Sequence, residues 1–304
     1  MTTRRRFLAI AAAATASPGV GMAQPLHVWQ GVALGARATL RLAHPDAKAI
    51  GARVANEISR LEDIFSLYRP DSSLMQLNRT GQLVAPPFEL LECLSLARAV
   101  HRASSGAFDP TIQPIWKCYA EAAALGAMPT EHALMRARAC TGWHRITMDA
   151  SSIVMQKDMS LTLNGIAQGY IADRVAMMLR DAGLTNILID TGEFRALGMH
   201  PDGGHWPVRL ATGGEVPLAS RSLATSAPLG TTFDRDSTLG HILDPRSARP
   251  TSNIWQEITI SAPSSALADA LSTAACLFEY REEIDSLVAT FADTAVVATV
   301  ASKP

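Results

Sequence analysis

The sequence predicts an α+β fold, and three observations support this prediction. Helical and strand-like patterns alternate irregularly along the chain, whereas an α/β protein would repeat strand–helix–strand units. Of the 304 residues, 48% are hydrophobic and 18% are charged, which excludes a disordered chain and allows a large buried core. No internal repeat or low-complexity linker divides the sequence, so we expect one domain after the N-terminal segment.

Hydrophobic periodicity gives the expected positions of the helices and strands. In the first helix, Ile50, Val54 and Ile58 are spaced to share one apolar face. A Pro-Thr pair precedes the third helix, and Gly213-Gly214 separates two alternating segments in the manner of a hairpin. Helices are expected over residues 47–66, 88–104, 130–140, 165–182 and 266–279, and strands over residues 186–190, 206–211, 216–225, 255–261 and 295–301.

Residues 1–23 predict a secretory signal peptide. Arginines at positions 4–6 precede an apolar stretch over residues 8–16 and a small-residue cleavage site. The stretch is shorter than the roughly 20 residues of a transmembrane span. The run TRRRFL at residues 3–8 resembles a twin-arginine export signal, so we expect a periplasmic protein with its mature domain over residues 24–304. An uncleaved signal would associate the protein with the membrane, and the alternative is an ordinary basic N-terminus.

Charge and motif content exclude several function classes. Lys and Arg total 27 against 28 Asp and Glu, so the chain has no general basic footprint for nucleic acid. The sequence contains no GxGxxG, GxxxxGK(S/T), HExxH or GxSxG motif. Dinucleotide oxidoreductases, P-loop NTPases, zinc proteases and serine hydrolases therefore lose their usual sequence support.

The four cysteines are widely spaced and include no CxxC pair. Disulfides are an alternative in an oxidising compartment, but four cysteines do not make a disulfide scaffold in a chain of this size. Small buried thiols are the favoured interpretation for Cys93, Cys118, Cys140 and Cys276.

The first of four candidate site segments is GAFDPT at residues 106–111. An Asp-Pro-Thr turn is a common cap for the element that follows it. The functional alternative is that the Asp109 carboxylate and the Thr111 hydroxyl form hydrogen bonds to a ligand. The pattern alone leaves both interpretations open.

The second segment, LNGIAQGY at residues 163–170, has two glycines at the entry to a predicted helix. Gly165 and Gly169 would let backbone N–H groups approach an anion closely. A tight contact between this helix and a neighbouring element would also require glycine, so both interpretations remain.

The third segment is GHILDPR at residues 240–246. His241 and Asp244 would suit a general base and its neighbour. The alternative is a turn whose polar groups are satisfied internally, because a lone histidine is more often structural than catalytic.

The fourth segment is ADALST at residues 268–273. Asp269 and Thr273 stand four residues apart, so on a helix they share one face. A carboxylate and a hydroxyl suit a hard cation such as Mg²⁺, which prefers oxygen ligands. The alternative is an aspartate that stabilises the start of the helix and a threonine that bonds to its own helix.

Together these segments resemble the ApbE family, the FAD:protein FMN transferases, in which similar segments occur in the same order. Two further matches precede them, FSLY at residues 65–68 and a Ser…Leu-Asn pattern over residues 73–78. The resemblance spans about residues 31–280. It implies a single α+β domain of mixed sheets with packed helices, ApbE-like and T-fold-related, with FAD in a cleft between sheet and helices.

The resemblance also implies a Mg²⁺-dependent reaction in which FAD is the substrate. The metal ligands would be Asp269, Thr273 and the main-chain carbonyl of Ala167. A threonine hydroxyl of an acceptor flavoprotein would attack the phosphorus on the FMN side of FAD, and AMP would leave. His241 would accept the proton of that hydroxyl.

Flavin contacts follow from the same resemblance. Tyr68 matches the family position that packs on the isoalloxazine, and the pyrophosphate would lie near the backbone of residues 165–169. The residues expected to bind the flavin nucleotide are Tyr68, Asp109, Thr111, Gly165, Gln168 and Gly169.

Three departures from the family pattern stand out. Leu34-Gly35-Ala36 replaces Met-Gly-Thr and loses a hydroxyl, and Gln168 replaces a lysine and loses a cation. The segment DTGE at residues 190–193 lacks one glycine of N-x-G-G-D. These changes also resemble the NosX-type branch, which serves nitrous-oxide respiration by flavinylating a membrane flavoprotein. On that interpretation, the partner is a membrane respiratory subunit of the nitrous-oxide system.

Two other functions are compatible with the same residues. In an FAD pyrophosphatase, water would replace the acceptor hydroxyl at the same phosphorus. In an FAD-binding carrier or assembly chaperone, FAD would bind without being cleaved, and the departures at Gln168 and at Leu34-Gly35-Ala36 favour this alternative. The sequence itself separates these functions from the transferase only poorly.

Overall fold

The structure, a computed structural model, describes residues 24–302. The predicted signal peptide over residues 1–23 lies outside this range and stays a prediction, as does the boundary of the mature domain. Within the described range the chain is a mixture of helices and small and large sheets. The predicted α+β class is confirmed.

A seven-stranded antiparallel sheet forms the centre of the domain. The strands of the described chain are β1 (His27–Ala33), β2 (Ala36–Leu42), β3 (Gln82–Val84), β4 (Ile146–Met148), β5 (Ser152–Met155), β6 (Ile187–Asp190), β7 (Phe194–Leu197), β8 (Trp206–Arg209), β9 (Glu215–Leu218), β10 (Ser222–Ser226), β11 (Leu243–Asp244), β12 (Arg249–Pro250), β13 (Trp255–Ala262) and β14 (Ala295–Ala301). The central sheet has the order β1-β2-β6-β7-β10-β13-β14, and the smaller sheets are β3-β5-β4, β8-β9 and β11-β12.

Helices cover one face of this sheet. The helices of the described chain are α1 (Ala47–Phe65), α2 (Ser73–Thr80), α3 (Phe88–Ala103), α4 (Gln113–Ala124), α5 (Glu131–Ala139), α6 (Ala167–Asp181), α7 (Ser265–Ala275) and α8 (Arg281–Val288). Helix α1 packs on the edge strand β1, α6 and α7 pack on inner strands of the same sheet, and α3 packs on α7. Within residues 24–302, none of the helices has the length and apolar character needed to cross a bilayer.

The central sheet is buried on both faces around β6. Successive residues of a strand point to opposite faces. Ile187 and Ile189 belong to the main core beneath the helices, whereas Leu188 belongs to a second cluster with Trp206 and Val208. The β8–β9 hairpin therefore covers the face that the helices leave free.

The predicted elements are confirmed within two residues at each end, except for two that differ in extent. The strand expected over residues 216–225 is two strands, β9 and β10. The chain turns between them at Ser220, whose φ of 50° lies in the left-handed region. Hydrophobic alternation continues across this turn, so the sequence pattern alone joins two strands into one.

The helix expected over residues 266–279 ends earlier, at Ala275. The backbone carbonyl groups of the next residues accept hydrogen bonds from side chains elsewhere in the chain. Thr251 donates to the carbonyl of Cys276, Arg246 to that of Leu277, and Trp255 to that of Phe278. These long-range hydrogen bonds end the helix, and no local sequence pattern predicts them.

Some elements were not predicted because they contain few buried apolar residues. Strand β1 lies at the edge of the central sheet, with Val28 and Val32 more than half exposed. Helix α4 buries only Ile115 and Tyr119. Periodicity is a weak signal where an element buries so few side chains.

All four cysteines are free thiols. Cys93 and Cys276 are fully buried, which confirms the prediction for two of them, and burial raises the pKa of both thiols. Cys118 and Cys140 are partly exposed, so for them the prediction of buried thiols is wrong.

Helix α7 is held in place by α6. The Asp173 carboxylate on α6 accepts hydrogen bonds from the backbone N–H groups of Ser265 and Ala266 and from the Ser264 hydroxyl, at 2.9, 2.9 and 2.8 Å. These donors lie at the N-terminus of α7, where backbone N–H groups lack partners within the helix. The orientation of α7 relative to α6 is therefore fixed at its first turn.

Close packing of α6 on α7 requires glycine at position 169. A Cβ atom there would lie 2.3 Å from the Ser265 carbonyl oxygen. We expect Gly169→Ala to lower the free energy of unfolding by about 1–3 kcal/mol, because a backbone atom cannot move aside as a side chain would. Chemical denaturation measures this loss.

Gly230→Ala is the matched control, since its added carbon would approach a backbone oxygen, that of Ala227, only to 3.2 Å, and a smaller loss of stability is expected. An unchanged denaturation midpoint for Gly169→Ala would contradict the tight contact between α6 and α7.

Candidate functional site

A cavity of about 360 Å³ lies where α6, α7 and β10 meet the segment over residues 227–245. The structure brings six of the ten predicted site residues to its wall: Asp109, Gly165, Gln168, His241, Asp269 and Thr273. Four others do not line the cavity: Tyr68, Thr111, Ala167 and Gly169.

Helix α7 presents Asp269 and Thr273 to the cavity one turn apart, as the four-residue spacing predicts. The Asp269 side chain is 4% exposed, and its Oδ2 accepts a hydrogen bond of 3.2 Å from the backbone N–H of Gly169. Burial raises the pKa of Asp269 to about 7, and the hydrogen bond from Gly169 only partly opposes this effect. Ser226 lies beside Thr273, with their hydroxyl oxygens 3.3 Å apart.

The structure decides between the two interpretations for each glycine. Gly169 is required for the α6–α7 contact, and its N–H group is used by Asp269, so it orients the carboxylate from behind the cavity wall. Gly165 does line the cavity, and a Cβ there would come within 3.1 Å of the Thr273 side chain. Ala167 is 1% exposed at the first position of α6.

Glu193 is a second buried carboxylate in the cavity wall, and the sequence analysis did not single it out as a site residue. It is 7% exposed, and its Oε2 accepts a hydrogen bond of 3.1 Å from the backbone N–H of Thr225. Burial and the nearby charge of Asp269 raise the pKa of Glu193 well above its ordinary value. Its place in the altered motif DTGE at residues 190–193 was its only signal in the sequence.

The donor set at this end of the cavity suits a hard divalent cation. Carboxylate and hydroxyl oxygens are the groups that Mg²⁺ binds in proteins. The cavity wall includes the carboxylates of Asp109, Glu193 and Asp269 but no lysine or arginine. Three or more His, Cys, Asp or Glu side chains do not cluster as a metal site anywhere in residues 24–302, so a cation here would also need hydroxyl, carbonyl or phosphate oxygens.

Gln168 lies in the cavity wall against the turn between β6 and β7. A Cβ on Gly192 would lie 3.1 Å from Oε1 of Gln168, so the amide packs directly on that glycine. The main-chain carbonyl of Gln168 accepts a hydrogen bond of 3.0 Å from the Thr191 hydroxyl. The first turn of α6 and the β6–β7 turn are thus joined at the cavity.

Asp109 and Thr111 have different positions. Asp109 lines the cavity, and its Oδ1 accepts hydrogen bonds from the backbone N–H and the hydroxyl of Thr111 at 2.9 and 2.7 Å. Thr111 is fully buried, and its hydroxyl oxygen also accepts a 2.7 Å hydrogen bond from the Gly142 N–H. Asp109 is therefore available to a ligand, whereas the Thr111 hydroxyl is occupied in orienting it.

His241 is half-buried in the cavity wall, and its ring orientation is fixed. Its Nδ1 lies 3.0 Å from the Thr231 carbonyl, to which an Nδ1–H donates. That tautomer leaves Nε2 as a hydrogen-bond acceptor. Burial lowers the pKa of His241, so the neutral ring is favoured. Asp244 is not its partner, because the Asp244 carboxylate is paired with Arg246 at 2.8 Å.

Tyr68 lies outside the cavity wall. Its side chain is 76% exposed just after α1, while its backbone N–H donates to the Ser66 hydroxyl at 3.0 Å. The structure therefore leaves this ring open to solvent and does not bring it to the other predicted residues.

Comparison with known proteins gives a consistent result. The sequence model described as the ApbE family matches residues 34–297. An FAD:protein FMN transferase of Klebsiella pneumoniae (strain 342) is 28% identical over 292 residues, which cover 87% of this chain and 89% of that protein. Many further curated relatives bear the same name.

Solved structures share the fold. The apo form of Pseudomonas stutzeri flavinyl transferase ApbE superposes with a TM-score of 0.80 at 24% identity, over 91% of this chain and 94% of that one. The flavin transferase ApbE from Vibrio cholerae gives a TM-score of 0.76 at 22% identity, over 90% and 93% of the two chains. The expected single domain of mixed sheets with packed helices is confirmed.

Proposed function

This chain belongs to the ApbE family, and from that premise we propose that it transfers FMN from FAD to a threonine hydroxyl of an acceptor protein and releases AMP. One observation carries the proposal. The cavity brings together Asp269 and Thr273, a buried carboxylate and a hydroxyl on α7, with His241, whose Nδ1–H donates to the Thr231 carbonyl and leaves Nε2 as the acceptor nitrogen. Curated relatives named FAD:protein FMN transferase support the same activity.

Asp269 and Thr273 would hold a Mg²⁺ ion, together with the main-chain carbonyl of Ala167. When bound, the cation would neutralise charge on the pyrophosphate of FAD. The acidic cavity supports this requirement, since the wall offers a dianionic pyrophosphate no lysine or arginine. Gln168 stands where family members carry a lysine and offers an amide without a charge.

In the proposed reaction, the acceptor oxygen forms a bond to the phosphorus on the FMN side, and the P–O–P bridge breaks. AMP leaves with the bridging oxygen and its electron pair. The hydroxyl proton moves to Nε2 of His241, whose Nδ1–H remains bonded to Thr231. The ring is thus oriented before the substrate arrives.

Asp109 would contribute a hydrogen-bond acceptor to the flavin nucleotide, while Thr111 orients that carboxylate. Gly165 leaves room for the nucleotide at the start of α6, and Gly169 acts indirectly by donating to Asp269. The exposed ring of Tyr68 would stack on the isoalloxazine.

The acceptor is proposed to be a flavoprotein outside the cytoplasm. Residues 1–23 would direct export by the twin-arginine route, with residues 24–304 as the mature domain in the periplasm. A membrane subunit of the nitrous-oxide respiratory system is the specific partner that the NosX-type departures suggest. Tests against that subunit and an unrelated flavinylated domain would separate a dedicated enzyme from a general one.

Release of AMP from FAD tests the proposed function. Purified protein is incubated with FAD and Mg²⁺, with and without a threonine-containing acceptor domain, and AMP is measured by chromatography. The proposal expects release that depends on acceptor and stops in EDTA. Equal release without acceptor would instead establish an FAD pyrophosphatase, and bound FAD with no AMP under any condition would establish a carrier.

A further inference from the structure

We propose that Glu193 is an additional carboxylate ligand of the divalent cation held by Asp269 and Thr273. This inference rests on the proposed function, because it concerns the cation of the same site. Glu193 and Asp269 come from different parts of the fold, because Glu193 is the last residue of the β6–β7 turn and Asp269 lies on α7. Both line one cavity.

Each carboxylate has one oxygen bonded to backbone and one oxygen left over. Oδ2 of Asp269 accepts from Gly169, and Oε2 of Glu193 accepts from Thr225. Within residues 24–302, neither Oδ1 of Asp269 nor Oε1 of Glu193 has a hydrogen-bond or salt-bridge partner. A carboxylate offers about four lone-pair sites, so both side chains retain coordinating capacity toward the cavity.

Hydrogen bonding within the protein does not compensate for the burial of the Glu193 carboxylate. The residue is 7% exposed, and a single N–H donor offsets only part of the cost of burying most of a carboxylate. The charge of Asp269 adds repulsion in the same enclosed space. A divalent cation between the two groups would offset both costs, whereas the cavity wall supplies no cationic side chain.

The β6–β7 turn is built to hold Glu193 in this direction. Gly192 has a φ of 103°, a left-handed conformation that favours glycine. Its N–H donates to the Asp190 carboxylate at 3.1 Å, and the Thr191 hydroxyl donates to the Gln168 carbonyl at 3.0 Å. Thr191 thus anchors the turn to α6, so Glu193 follows a fixed backbone.

Direct titration with Mn²⁺ by calorimetry, without FAD or acceptor, tests the inference. We expect Glu193→Gln to raise the Mn²⁺ dissociation constant by at least about tenfold, since even groups behind a metal ligand contribute about 10–100-fold. Glutamine retains an oxygen for the Thr225 N–H, so the metal-free variant should melt no lower than the unsubstituted protein. Unchanged Mn²⁺ affinity in Glu193→Gln would overturn the inference.

Two further variants sharpen the result. Glu257→Gln is the matched control, because Glu257 is equally buried but lies on β13 outside the cavity wall and bonds to Thr212. Its Mn²⁺ affinity should be unchanged. Glu193→Asp keeps the charge but moves the carboxylate back by one methylene. If Glu193 binds the cation directly, this variant should lose Mn²⁺ affinity. If Glu193 acts only through its charge, the Mn²⁺ affinity should be unchanged, and that result would overturn direct ligation.

The titration also separates this inference from the proposed function. If the unsubstituted protein binds Mn²⁺ and Glu193→Gln binds it equally well, the role of Glu193 fails and the transferase proposal stands. If the unsubstituted protein binds no Mn²⁺ without FAD, the role of Glu193 is overturned, whereas the metal requirement of the transferase is decided separately by AMP release in EDTA.

Discussion

Asp269→Asn is expected to reduce FMN transfer by about 10³-fold, which corresponds to about 4 kcal/mol of transition-state stabilisation. Asp269 is the buried carboxylate of the proposed cation site, and asparagine would bind a divalent cation much more weakly. Its carbonyl oxygen retains an acceptor for the Gly169 N–H, so α6 and α7 should remain packed. The rate of acceptor labelling at saturating FAD and Mg²⁺ measures the loss.

Asp285→Asn is the control for Asp269→Asn. Asp285 lies on α8, half-exposed, and forms a surface ion pair with Arg281 at 2.9 Å. Surface pairs of this kind contribute about 0–1 kcal/mol to stability, so labelling should be unchanged. Labelling by Asp269→Asn at nearly the rate of the control would show that the carboxylate is not part of the reacting site.

His241→Ala is expected to lower kcat by about 10²–10⁴-fold, the usual contribution of a general base. FAD affinity should change little, because the proposed role begins with the acceptor proton. Stopped turnover with FAD still bound would distinguish this effect from a lost binding site. His132→Ala is the control, since His132 is exposed on α5.

The pH profile provides an independent test of His241. A general base acts in its neutral form, and burial lowers the pKa of His241 below the ordinary value of about 6.5. At saturating Mg²⁺, which keeps the carboxylate of Asp269 ionised, the acidic limb of kcat/KM should therefore have its midpoint below about 6.5, with full activity retained at neutral pH. A midpoint well above 7 would contradict this role for the buried ring.

Local patterns predicted those parts of the site that lie on one element. The spacing of Asp269 and Thr273 puts both on the same face of α7, and the helix is where periodicity expects it. The two glycines at positions 165 and 169 were equally compatible with an anion site and with close packing. Only the position of the Ser265 carbonyl, 2.3 Å from a Cβ on Gly169, decides between these interpretations.

Contacts between distant residues decided the rest, and no local pattern specifies them. Thr111 is adjacent to Asp109 in sequence, but its hydroxyl accepts from Gly142, 31 residues away, and so faces into the protein. Glu193 was noticed only as part of an altered motif, because its neighbour Asp269 comes from another element. Whether a polar side chain is buried beside a second charge is a property of tertiary packing.

The central claim is that FMN becomes covalently attached to an acceptor. Its most direct test is the intact mass of a threonine-containing acceptor domain after incubation with this protein, FAD and Mg²⁺. The account predicts a gain of one FMN less one water, absent when Asp269→Asn replaces the enzyme. An acceptor of unchanged mass, from a dedicated partner, with FAD demonstrably bound and the metal present, would contradict it.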